Sequence, residues 1–137
     1  MRVHVIVADA ARARIFASQN LIKHLTEQQD FIHSEAHLAN HDLVGDAAGK
    51  SRNPHAGSLD SATSPKEHEA KVFARLLAKH LKDLHNQQNF EKLILIAPPK
   101  FLGLLRKELP KPLDQLVERT IPKDLTTASA AEIIDHI

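Results

Sequence analysis

The chain has 137 residues, of which 42% are hydrophobic and 26% charged, with a formal net charge of +1 and no cysteine. That length fits one domain with a true core. The composition excludes a disulfide framework and a thiolate metal site, and no apolar run approaches the ~18 residues needed to cross a bilayer.

Charge is unevenly spread. Residues 1–24 carry four basic and one acidic residue, and 97–123 carry six basic and three acidic. Residues 25–70 carry three basic and eight acidic. The two basic segments allow a modest patch in three dimensions, whereas a dedicated nucleic-acid binder has a stronger excess.

Val3 to Ala8 is rich in β-branched residues and reads as a buried first strand, with Asp9-Ala10-Ala11 as the turn. Arg12 to Ala17 reads as the return strand of a hairpin, and Leu21 to Thr26 as a weaker third strand. From Asp30 to Ser64 the periodicity is lost, and Gly45, Gly49, Pro54 and Gly57 punctuate the chain. A connection of that length is expected to be a mobile, functional element. Ser64-Pro65-Lys66-Glu67 has capping-box spacing with proline at the first helical position. Val72, Phe73, Leu76, Leu77, Leu81 and Leu84 then form an apolar stripe on a helix running to about Gln88. Leu93 to Ala97 reads as a buried strand that feeds a helix from Pro99 to Leu109. Leu113 to Val117 follows as a helical turn, then an extended segment at Glu118 to Ile121. Thr126 or Ser129 caps a last helix carrying Ile133, Ile134 and Ile137. The order β-β-β, loop, α-β-α, β-α specifies one α/β domain around a mixed sheet that opens with an antiparallel meander.

Several chemistries can be weighed on these elements. His33, His37 and His41 would share one face if their segment were helical, but it reads as loop, so no metal site is expected. Asp9, Asp46 and Asp124 are carboxylates near strand ends or in the loop, yet the end of the Leu93 strand supplies none to complete a two-metal set. Asp9 is more simply a turn residue bonding its own backbone. No Gly-x-Ser-x-Gly elbow or Gly-rich phosphate loop occurs, and no cofactor is expected. Gly103 sits inside a helix, where close approach of another element would explain it.

The strongest local signal is the junction at Ala97-Pro98-Pro99-Lys100. The first strand and the Leu93 strand should be parallel neighbours, bringing the Asp9 to Arg14 turn beside the Pro98 to Arg106 turn. A helix start there offers free N–H groups, and Arg12, Arg14, Lys100 and Arg106 add charge suited to an anion or RNA phosphate.

Five ordered blocks carry a resemblance. They are Ala8 to Phe16, Asp42-Leu43-Val44-Gly45-Asp46 with Gly49, Ser64 to Glu67, Ala97 to Arg106, and Lys123-Asp124-Leu125-Thr126. Together the sequence resembles the bacterial family of host attachment proteins, and through it the middle domain of archaeal and eukaryotic peptide-chain release factors. The resemblance implies a three-layer α/β/α sandwich on a five-stranded mixed sheet of ribonuclease H-like topology. It also implies association with the ribosome, tRNA or other RNA. In release factors a Gly-Gly-Gln loop between the third strand and the first long helix helps water attack the peptidyl-tRNA ester. The corresponding region here, about Asp46 to Ser64, has no Gly-Gly pair and no glutamine. It offers His55-Ala56-Gly57-Ser58-Leu59, with Lys50, Arg52 and Lys66 for RNA.

Three functions follow as expectations. The first is a cytoplasmic domain that associates with ribosome or RNA without the hydrolytic motif, contacting it through Asp9, Arg12, Arg14, Asp46, Gly49, Lys50, Arg52, Lys100, Gly103 and Arg106. The second is a hydrolase of tRNA esters or a phosphate-bearing substrate, with His55 or His68 as the base. The third is a module that binds a protein partner linked to host attachment. Insertion into a membrane is not expected.

Overall fold

The computed structural model describes residues 2–19, 24–33, 64–87 and 90–137. Nine elements are described: β1 (Val3–Ala8), β2 (Arg12–Ser18), β3 (Thr26–Ile32), α1 (Pro65–Asn86), β4 (Lys92–Ile96), α2 (Pro99–Glu108), α3 (Lys111–Asp114), β5 (Val117–Ile121) and α4 (Ala130–His136). The five strands form one sheet in the order β3-β2-β1-β4-β5. β1–β2 and β2–β3 pair antiparallel, while β1–β4 and β4–β5 pair parallel.

The alternation of side chains across the sheet accounts for three layers. Ile6, Ala8, Leu93, Leu95 and Ala97 point into one core with Phe73, Leu77 and Leu81 of α1 and Phe101 and Leu105 of α2. Val3, Val5, Val7, Ile94 and Ile96 point into the other, covered by Ile133 of α4. All six residues of β1 are buried, as expected of a strand covered on both faces. Among the described residues no helix is long and apolar enough to cross a membrane.

α1 starts where its sequence specifies: the Ser64 hydroxyl accepts the Glu67 N–H at 3.0 Å. Its buried face is Ala70, Phe73, Ala74, Leu77, Ala78 and Leu81. Leu76, read as part of the apolar stripe, is instead 52% exposed. The small residues Ala70, Ala74 and Ala78 complete the face, so the helix is rotated away from Leu76.

The third strand also differs from expectation. It runs over Thr26–Ile32, with His24 and Leu25 outside it, so Asp30 to Ile32 belong to the sheet and not to the loop; residues 21–23 of the expected span lie outside the described residues. As an edge strand it has no apolar alternation to announce it. Cross-strand ion pairs stand in that role: Arg12 on Asp30 at 2.7 Å and Arg14 on Glu27 at 2.9 Å. The stretch after α2 differs by a few residues, with the helical turn at Lys111–Asp114 and the strand from Val117. Ser129, and not Thr126, caps α4 through a reciprocal capping box with Glu132.

Candidate functional site

β1 and β4 end side by side because they pair in parallel, with Val7 opposite Ile96. α1 precedes β4 and runs back against it, so its first turns lie at the same sheet edge. α2 leaves β4 from that edge. One edge thus gathers the Asp9 turn and two helix N-termini around a cleft of about 330 Å³. This is the crevice outside the carboxyl ends of strands that open α/β sheets use for ligands.

Asp9 forms one wall and is committed to the turn. Its Oδ1 accepts the N–H groups of Ala11 and Arg12, both at 2.8 Å. Its own N–H donates to the Arg12 carbonyl at 2.9 Å. The Thr126 hydroxyl lies 3.4 Å from Asp9 Oδ2 but 2.6 Å from Asp124 Oδ1, so its single proton goes to Asp124.

From α1 the cleft takes Lys66, Glu67, Ala70 and Lys71; from the start of α2 it takes Pro98, Lys100, Phe101 and Leu104. Pro98 and Pro99 lack N–H groups, and α2 has no side-chain cap and no acidic residue in its first turn. The Lys100 and Phe101 amides therefore present uncompensated positive dipole to the cleft. Lys66, Lys71 and Lys100 are exposed and make no ion pair among the described residues.

The arginines expected here are otherwise engaged. Arg12 binds Asp30 through Nε at 3.0 Å and Nη2 at 2.7 Å. That bidentate bond holds the Asp30 carboxyl below its ordinary range and raises Arg12 further. Arg14 binds Glu27 the same way, at 3.0 and 2.9 Å, lowering the Glu27 carboxyl. Its Nη1 also donates to the carbonyls of Thr126 at 3.0 Å and Ala128 at 2.6 Å, and the guanidinium lies 4.9 Å from the Phe16 ring centroid. Arg14 thus ties β2 to the segment before α4. Arg106 is not among the residues that line the cleft and binds Asp114, 2.8 Å from Nη2.

Gly103 lines nothing: a Cβ there would meet no atom within 4 Å. Close packing therefore does not explain it. His68 is exposed in the first turn of α1 and has no side-chain partner among the described residues. His33 is buried beside Glu69, 2.9 Å from its Oε1, and stacks on Phe73, while its N–H donates to the Ala11 carbonyl. Among the described residues no three His, Asp or Glu side chains gather for a metal. His37, His41, Asp46, Gly49, Lys50, Arg52 and His55 lie outside the described residues. Lys71, like Ala70, is a cleft residue that the sequence did not single out. Its signal was indirect: it lies near the start of the helix that runs back against β4.

The cleft lies on a chain whose relatives can be named. The family model described as "Protein required for attachment to host cells" matches residues 4–137. The chain belongs to that family. An uncharacterised protein of Rickettsia prowazekii (strain Madrid E) is 44% identical over 72 residues, spanning 50% of this chain and 48% of that protein. The chain thus matches about half the length of this curated relative. The crystal structure of an archaeal translation termination factor shares the fold with a TM-score of 0.53 at 10% identity, over 97% of this chain and 36% of that one. The Ppx/GppA phosphatase of Aquifex aeolicus gives a TM-score of 0.47 at 15% identity, over 88% of this chain and 35% of its own.

Proposed function

We propose that this host attachment family member associates with RNA, at the ribosome or on tRNA, and that the cleft at the carboxyl edge of β1 and β4 makes the contact. The observation that carries the reading is the set of three lysines, Lys66, Lys71 and Lys100, without an ion pair among the described residues, around an uncapped helix N-terminus. Three lysines outnumber Asp9 and Glu67 in this cleft and attract phosphate, whereas Arg12, Arg14 and Arg106 are each bound to a carboxylate. The fold shared with a translation termination factor makes the ribosome the first partner to test. Without a Gly-Gly pair in the sequence, the reading is binding and not ester hydrolysis. A cytoplasmic site of action goes with it, and the link to host attachment is then indirect.

The test is co-sedimentation with ribosomes over a salt series. Binding should weaken as salt rises, and Lys66→Glu/Lys71→Glu/Lys100→Glu should abolish it. Arg106→Gln, outside the cleft, should bind as the parent does. Salt-independent binding that the triple variant retains would sink the proposal.

A further inference from the structure

The cleft has two kinds of surface. Its rim carries Lys66, Lys71 and Lys100, while its floor is apolar, built from the half-buried Leu104 and the buried Ala70 and Phe101. A groove that only tracks a phosphate backbone has no use for that floor, and an apolar ligand has no use for three cations. The volume, about 330 Å³, is at the small end of ligand sites, room for one such unit and not for several. Glu67 lines the same space, and its carboxylate has no partner among the described residues.

We propose that the cleft seats one unpaired nucleotide of an RNA strand. The base lies on the floor, the phosphate among the three lysines and the free amides of Lys100 and Phe101. Glu67 accepts a hydrogen bond from a base amino group or a ribose hydroxyl. A duplex cannot enter this way, because its bases are stacked and paired and expose no free face. The inference rests on the RNA-association reading but asks more of it: the base, and not charge alone, must contribute.

The experiment is fluorescence anisotropy with a labelled single-stranded RNA decamer and a blunt RNA duplex of equal length, over a salt series. Two variants alter the floor without changing charge: Ala70→Met fills it, and the more exposed Leu104→Gln makes it polar. Each is first checked for a native circular dichroism melt, so a failure to fold in one leaves the other informative. The parent should prefer the single strand several-fold, the scale that covering one base face with apolar side chain supports. Both variants should bring single-strand binding down to duplex level while keeping the salt slope. Equal affinity for both RNAs, or floor variants that bind like the parent, would overturn the seated base and leave the RNA reading standing. If neither RNA binds, the seated base is overturned, and co-sedimentation of the parent and the lysine triple variant with ribosomes decides the RNA-association reading separately.

Discussion

Replacing Arg14 with methionine keeps the aliphatic stem over Phe16 and removes the guanidinium. Two part-buried carbonyls, of Thr126 and Ala128, then lose a charged donor. Each costs about 1–3 kcal/mol when left unsatisfied. The Glu27 carboxylate, with 34% of its side chain exposed, rehydrates and adds only about 0–1 kcal/mol. The expected loss is therefore about 3 kcal/mol, a large share of the ~5–15 kcal/mol typical of a domain, and a melting point lower by about 10 °C. Glu27→Gln should cost less than about 1 kcal/mol, since it leaves both carbonyls satisfied. Arg14→Lys should fall between, because an ammonium lacks the planar fork that reaches carboxylate and carbonyls together. Urea unfolding read by far-ultraviolet circular dichroism suits a chain without tryptophan or tyrosine. A loss below about 0.5 kcal/mol for Arg14→Met, together with weakened RNA binding, would refute the structural role and return Arg14 to the binding surface.

Two further outcomes are expected. Gly103→Ala should stabilise by about 0.5–1 kcal/mol in thermal melts, because the helix gains propensity and the added methyl meets nothing; a lower melting point would show an unseen constraint there. His4 is 6% exposed with Nδ1 unpartnered among the described residues, and its pKa is lowered by burial and by the Arg2 charge. Its contribution is thus complete above pH 6.5 and falls away below it, by up to about 1.4 kcal/mol per pH unit, as the unfolded chain takes the proton first. His4→Leu should flatten the urea midpoint between pH 7 and 5. An unchanged slope would assign that pH dependence to other groups; Glu27 and Asp30, whose carboxyl pKa values are lowered, lose their contribution at lower pH than this.

What the sequence disclosed depended on burial. β1 and β4 are covered on both faces, and their unbroken apolar runs announced them. β3 is polar because it is an edge, and Arg12 and Arg14 hold it to β2 through ion pairs, so no local pattern in Thr26–Ile32 revealed it. The pairing of β1 with β4 followed from topology, and with it the shared edge of the Asp9 and Pro98 turns. Side-chain partnership did not follow. Basic residues look alike in a sequence, yet Asp30, Glu27 and Asp114 neutralise three of them, while Lys66, Lys71 and Lys100 remain unpaired among the described residues. Which cation meets which anion is decided by strands and helices brought together from distant segments.

The mixed sheet also sets the order in which the chain can be completed. β1 closes its β2 flank against residues no further along than Ser18, but its other flank waits for a partner in which Lys92 meets Val3 and Ile96 meets Val7. At ~5–20 residues added per second, synthesis leaves that flank without its mate for on the order of ten seconds. The strand most deeply covered in the finished domain is thus the one whose apolar edge stands open longest during its making. Slower elongation lengthens that exposure, and with it the chance of pairing with another chain, while the equilibrium stability of the folded domain stays the same.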